Sequence, residues 1–198
     1  PMMANARAQG GGLPGRRFVS TTAYLGLLSS LLVAFALALS GPAIRPLFGE
    51  AYADAVPVFT LCLVGAAMTA ASAGASSLLI SSDRQGTILA LIVASCALKI
   101  ALDLLLIPSF GLIGAACAFL SVALALAIAM FWLATRHTGV APDWARLARI
   151  GAAAGIAALA ALPAARGLVP LPGLLVGGGV LVVVHGFATL LFGCWTRA

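Results

Sequence analysis

Charge is what this chain lacks. Only 8% of its 198 residues are charged, 11 of them basic and 5 acidic. A water-soluble domain carries about a quarter charged residues. So few charges do not cover a water-exposed core, and a soluble globular fold is excluded. The imbalance of +6 does not point to nucleic acid either. The arginines are scattered between apolar blocks and form no basic patch interleaved with aromatic residues. Cys62, Cys96, Cys117 and Cys194 all lie in apolar blocks, with no CxxC pair and no adjacent His. That pattern offers neither a zinc site nor a disulfide framework, so the thiols read as small, reduced packing residues. No signal-peptide pattern opens the chain. Its start at Pro1 is what a processed chain, or a piece of a longer one, would give.

What is there is hydrocarbon. Hydrophobic residues make up 63% of the chain and mean hydropathy is +1.15. A helix needs about 20 mostly apolar residues to cross a bilayer. Six segments meet that length, at 22–44, 57–80, 86–107, 111–135, 148–168 and 173–194. They are separated by SGPAIRPLFGEAYADAVP, SSDRQG, PSFG, RHTGVAPDWAR and RGLVPLPG, all rich in turn-forming or charged residues. Blocks this long exclude barrel strands, leaving an all-α, polytopic membrane helix bundle with the lipid bilayer as its solvent. The stretch PDWARLAR is expected to form a short interfacial helix ahead of the fifth span. Gly151 and Gly155, like Gly173 and Gly177, stand at GxxxG spacing, which predicts close helix approach.

Orientation follows from the basic loop residues. Arg7, Arg16, Arg17, Arg84, Arg136, Arg146, Arg149 and Arg197 fall on one side, Arg45 and Arg166 on the other. Both termini are therefore expected in the cytoplasm, with Trp132, Trp144 and Trp195 at the same interface. The resulting plan has a cytoplasmic segment at 1–21, four spans within 22–136, a cytoplasmic loop at 137–147, and a terminal pair of spans with a short tail at 148–198.

Two motifs go beyond composition. LFGEAYADA at 47–55 follows the first span, and IPSFGLIGAACA at 107–118 joins the third to the fourth. Leu47, Phe48, Gly49 and Tyr52 in the first, with Pro108, Gly111 and Gly114 in the second, read on their own as corner chemistry: an exit from a helix and a narrow hairpin. In this order and separation they resemble the C-terminal half of bacterial polysaccharide flippases, of the multidrug/oligosaccharidyl-lipid/polysaccharide exporter superfamily. The likeness covers roughly residues 20–136 and, more loosely, the last two spans. It implies one lobe of a two-lobed transporter in the bacterial inner membrane, moving lipid-linked oligosaccharide between leaflets by alternating access. It also implies a missing N-terminal lobe, in the same longer chain or in a second subunit. It calls for no cofactor and no metal. Half of a small-molecule exporter, or a non-transporting fragment or assembly partner, fits the same residues.

An enzyme is not expected. His137 sits in a loop beside Arg136, and His185 lies alone in LVVVHGFATLL, neither with the partners that acid–base chemistry needs. The remaining candidates are Lys99 and Asp103, inside the third span. Their i, i+4 spacing places them on one helix face. A charge facing lipid tails is costly, so they are expected to pair and face the bundle or a cavity. One reading is a packing contact. The other is that Lys99 offers a cation to an anionic pyrophosphate while Asp103 tunes it. The resembled family often carries Asn at both positions, and this chain departs from it.

Overall fold

A computed structural model describes the backbone of residues 13–166 and 170–194, and side chains over 18–137, 139–163 and 172–194. Every regular element in these segments is helical. In order they are α1 (Leu13–Phe48), a 3₁₀ turn (Glu50–Ala55), α2 (Val56–Ser81), α3 (Gln85–Thr138), α4 (Trp144–Arg166) and α5 (Pro170–Leu191). Five helices are long and apolar enough to cross a membrane by length and composition. The chain is an all-α, multi-pass helix bundle.

The difference between five helices and the six expected spans lies in α3. A straight helix of 54 residues would run about 81 Å, far beyond a hydrocarbon core of about 30 Å. Gly111 breaks it with φ 56° and ψ −133°, a conformation closed to residues with a Cβ. The limb 85–110 (α3a) then turns back as the limb 112–138 (α3b). Ile88 and Leu91 of α3a thus share an apolar cluster with Leu126 and Met130 of α3b. The expected hairpin at PSFG is therefore present. Gly114 is required there, because a Cβ would collide with the Leu106 carbonyl oxygen.

α1 overruns its expected end. Pro42 and Pro46 both lie within it, and the helix closes only at Phe48, where the Gly49 N–H bonds the Arg45 carbonyl at 2.9 Å. Each proline forfeits one helical hydrogen bond. Packed bundles tolerate that loss. α1 also starts at Leu13, so much of the expected N-terminal segment 1–21 is helix; residues 1–12 lie outside the described structure. The stretch PDWARLAR gives no separate interfacial helix. From Trp144 onward it is the start of α4. The expected loop 137–147 shrinks accordingly to 139–143. The end of the fifth expected span, at 167–168, lies outside the described residues, as do Trp195 and Arg197.

α1 and α2 pack side by side in the middle, with the α3 hairpin against α2 and the α4–α5 hairpin against α1. Two cores hold this array. One joins Ala34, Ala38 and Leu39 of α1 to Ala154, Ala157, Ala158 and Ala161 of α4 and Leu181 of α5. The other joins Phe18, Ala75, Leu78, Leu79, Met130 and Ala134. Alanine dominates because small side chains let backbones approach, and close packing is what holds helices together in lipid. Glycine does the same at Gly65, where an added Cβ would lie 2.5 Å from the Phe119 ring. The Thr60 hydroxyl adds a 2.8 Å contact to Ser40 across the α1–α2 seam. Large apolar side chains cover the outside, Leu89, Val93, Ile100, Leu104 and Leu105 among them. Such a surface has a favourable solvent only in a membrane.

Candidate functional site

α3a carries the charged pair. Its half-buried positions are Thr87, Ile88, Leu91, Ser95, Lys99, Leu102, Asp103 and Leu106, a stripe at helical spacing along an otherwise exposed limb. Lys99 and Asp103 thus lie on the bundle side, as a charge in lipid requires. Lys99 Nζ donates to Asp103 Oδ2 at 2.7 Å. Their side chains are 38% and 27% exposed, so the pair lies at a crevice and not within the core. Asp103 Oδ1 is buried and has no hydrogen-bond partner among the described residues. The pair is therefore half-satisfied: Oδ2 accepts from Lys99, and Oδ1 is left without a donor.

The corner motifs stand elsewhere. Leu47, Phe48 and Tyr52 are exposed around the 3₁₀ turn, and the Phe48 and Tyr52 rings lie 6.1 Å apart. Gly49 makes the exit from α1 with φ 89°. Arg45 reaches Glu50 at 3.7 Å across the same corner. Pro108, Gly111 and Gly114 shape the α3 hairpin. These residues position helices, and Asp103 lies five residues before Pro108, just over a turn below that hairpin.

A groove of about 320 Å³ between α1, α2 and α4 was not foreseen from the sequence. Gly26, Ser30, Met68, Leu147, Gly151 and Gly155 are among its walls. The GxxxG pair of α4 behaves differently here from expectation. A Cβ at Gly151 or Gly155 would meet nothing within 4 Å, whereas one at Gly26 would press Leu147 Cδ2 at 2.9 Å. The pair hollows the groove and does not bring two described helices together. Gly173 and Gly177 of the other GxxxG pair are buried. α2 separates the groove from the α3 hairpin, so the structure does not unite the groove with Lys99 and Asp103.

His185 of α5 is buried behind that groove wall. Its Nε2 lies 3.4 Å from Ser30 Oγ, which donates its own proton to the Leu27 carbonyl at 2.9 Å. His137 is exposed at the end of α3b. Among the described residues no cluster of His, Cys, Asp or Glu is arranged to hold a metal ion, and the four cysteines are free.

Two arginines counted above as orientation signals have a further role. Arg146 is buried, and its Nε and Nη2 both donate to the Cys194 carbonyl, Nε at 2.8 Å. Arg149 Nη1 donates to the Phe192 carbonyl at 3.0 Å. The end of α5 is a Schellman turn: Gly193 takes φ 64°, Cys194 N–H bonds the Thr189 carbonyl, and Gly193 N–H bonds that of Leu190. The arginines fasten this turn to the first turns of α4, where cations also complement the negative end of the α5 dipole.

Comparison with family models, with characterised proteins and with solved structures returned no match.

Proposed function

We propose that this chain forms one lobe of a multi-pass transporter that moves lipid-linked oligosaccharide from the cytoplasmic to the outer leaflet of a bacterial inner membrane. The observation that carries this reading is the Lys99–Asp103 pair with its unpartnered Asp103 oxygen, on the bundle side of a membrane-length helix. Ionisable groups at such depth mark substrate or ion paths, since packing alone is served more cheaply by neutral residues. Lys99 supplies a cation for a diphosphate, and Asp103 tunes that cation and takes Lys99 back as the anion leaves. The two corner motifs, LFGEAYADA and IPSFGLIGAACA, support the same reading. The cavity would lie between this lobe and a second, and exchange of access between the leaflets would come from rocking of the two. No bond is made or broken, so the chain needs no catalytic group and no cofactor.

The α1–α2–α4 groove favours a second reading, export of a small amphipathic compound. Its volume of about 320 Å³ falls at the lower end of small-molecule sites.

Deleting the gene from its host tests both readings. The flippase reading expects lipid-linked oligosaccharide trapped on the cytoplasmic leaflet and surface polysaccharide lost. Normal polysaccharide with retention of an amphipathic dye would replace it with the second reading. Neither phenotype would contradict transport altogether.

A further inference from the structure

At the end of the bundle that carries most of the basic residues, the last turns of α3b hold an arginine in an unusual setting. The Arg136 guanidinium carbon stands 5.0 Å from the Trp132 ring centroid, over its face. Trp132 is 56% exposed, so the indole is a platform open on its outer side and not part of the core. Among the described residues, no carboxylate lies within salt-bridge distance of Arg136. The two acidic residues at this end are otherwise placed: Asp143 Oδ1 accepts the Arg146 N–H at 2.9 Å, and Asp83 turns the chain between α2 and α3a with φ 57°. Trp144 joins the same end, edge-on to Phe131 at 6.1 Å, and is 60% exposed. The negative end of the α3 dipole accounts for a cation here. It does not account for stacking that cation on an exposed indole and leaving its outer edge unpaired.

We infer that Arg136 and Trp132 form a binding site for the phosphate of an anionic phospholipid headgroup. The exposed tryptophans place this end of the bundle at headgroup depth. The indole face holds the guanidinium in place, and a planar guanidinium presents paired N–H donors that match two phosphate oxygens. Stacking reduces the freedom that Arg136 would otherwise lose on binding. The site depends on the membrane reading of the chain and not on any transport activity, so it stands or falls separately from the proposed function.

Lipid retention by the purified chain, measured by native mass spectrometry from mixed phosphatidylglycerol and phosphatidylcholine, provides the test. One phosphatidylglycerol is expected to be retained in preference to phosphatidylcholine. Arg136→Gln should weaken that retention about fivefold, the effect of one basic residue at an anionic surface. Trp132→Leu, which keeps the charge, should weaken it about two- to fivefold, because the stacked cation is lost. Arg136→Lys should also fall short of the native chain, since an ammonium lacks the planar fork. Water-soluble glycerol phosphate at equal concentration should not compete. Full competition would mark a free-phosphate site and overturn the lipid assignment. Equal retention of the two lipids by the native chain would overturn the inference, whatever the variants do. So would native retention by a folded Trp132→Leu chain, which would leave only diffuse surface charge.

Discussion

Replacing Arg146 by Met keeps the length of the side chain and removes the guanidinium that ties α4 to the end of α5. Arg146 is 8% exposed, and two of its donors converge on the Cys194 carbonyl. A hydrogen bond from a charged donor contributes about 1.5–3 kcal/mol, and a carbonyl left buried without a partner costs as much again as it would gain from water. The two bonds share one acceptor and do not add fully, so a loss of about 2–3 kcal/mol is expected. For a chain of this size each kcal/mol lowers the melting midpoint by about 2–4 °C. Arg146→Met should therefore melt about 4–12 °C below the native chain in the same detergent, followed by far-ultraviolet circular dichroism. Arg149→Met removes an exposed donor and should cost less than about 2 °C. A second readout is local. The Cys194 side chain is fully buried, so with Cys62, Cys96 and Cys117 replaced by Ser its thiol should react slowly in the native chain and faster in Arg146→Met. Equal midpoints and equal labelling rates for native and Arg146→Met would refute the clamp.

Three further outcomes follow from the same packing. Single cysteines at Glu50 or Ser109, in a cysteine-free background, should react with a membrane-impermeant thiol reagent added outside cells, and those at Arg84 or Asp143 should not; the reverse pattern overturns the orientation. Gly65→Ala should destabilise by about 1–3 kcal/mol, because its Cβ would press on the Phe119 ring. Gly151→Ala meets open space and should be neutral or stabilise by up to about 1 kcal/mol through helix propensity, so equal losses at the two sites would discredit the packing picture. Asp103→Asn strands Lys99 without its partner in a crevice on the bundle side and should lower the melting midpoint more than Lys99→Asn with Asp103→Asn together, because the double change leaves no lone charge; a double variant weaker than the single one would contradict the pairing.

The spans were legible because a run of about 20 apolar residues has one favourable solvent, whatever its neighbours do. The α3 hairpin was legible for a related reason: Pro108 and Gly111 act on the backbone locally. The same rule misjudged Pro42 and Pro46. A proline removes one hydrogen bond, and whether a helix survives that depends on packing from elsewhere, here α2 through Thr60 and Ser40. GxxxG at Gly151 and Gly155 announced small residues but not what would lie across from them, and three separate helices are needed to make a groove of that face. Arg146 was visible as a charge and invisible as a clamp, since its partner is a backbone carbonyl 48 residues away, which no side-chain pattern reveals. For Lys99 and Asp103 the sequence carried more, because an i, i+4 pair of opposite charges in an apolar helix has few other ways to be satisfied. The unpartnered Asp103 oxygen was beyond its reach, being a matter of rotamer and neighbours.

The most direct test of the proposed function is transport with Lys99 and Asp103 both changed to Asn, in the chain assembled with the second lobe that the proposal calls for. The readout is the movement of a fluorescent lipid-linked oligosaccharide between the leaflets of proteoliposomes. The account predicts a folded, membrane-inserted double variant that does not transport, and a Lys99→Arg protein that does. A folded double Asn variant that transports at the native rate would contradict it, and would reduce the pair to a packing contact.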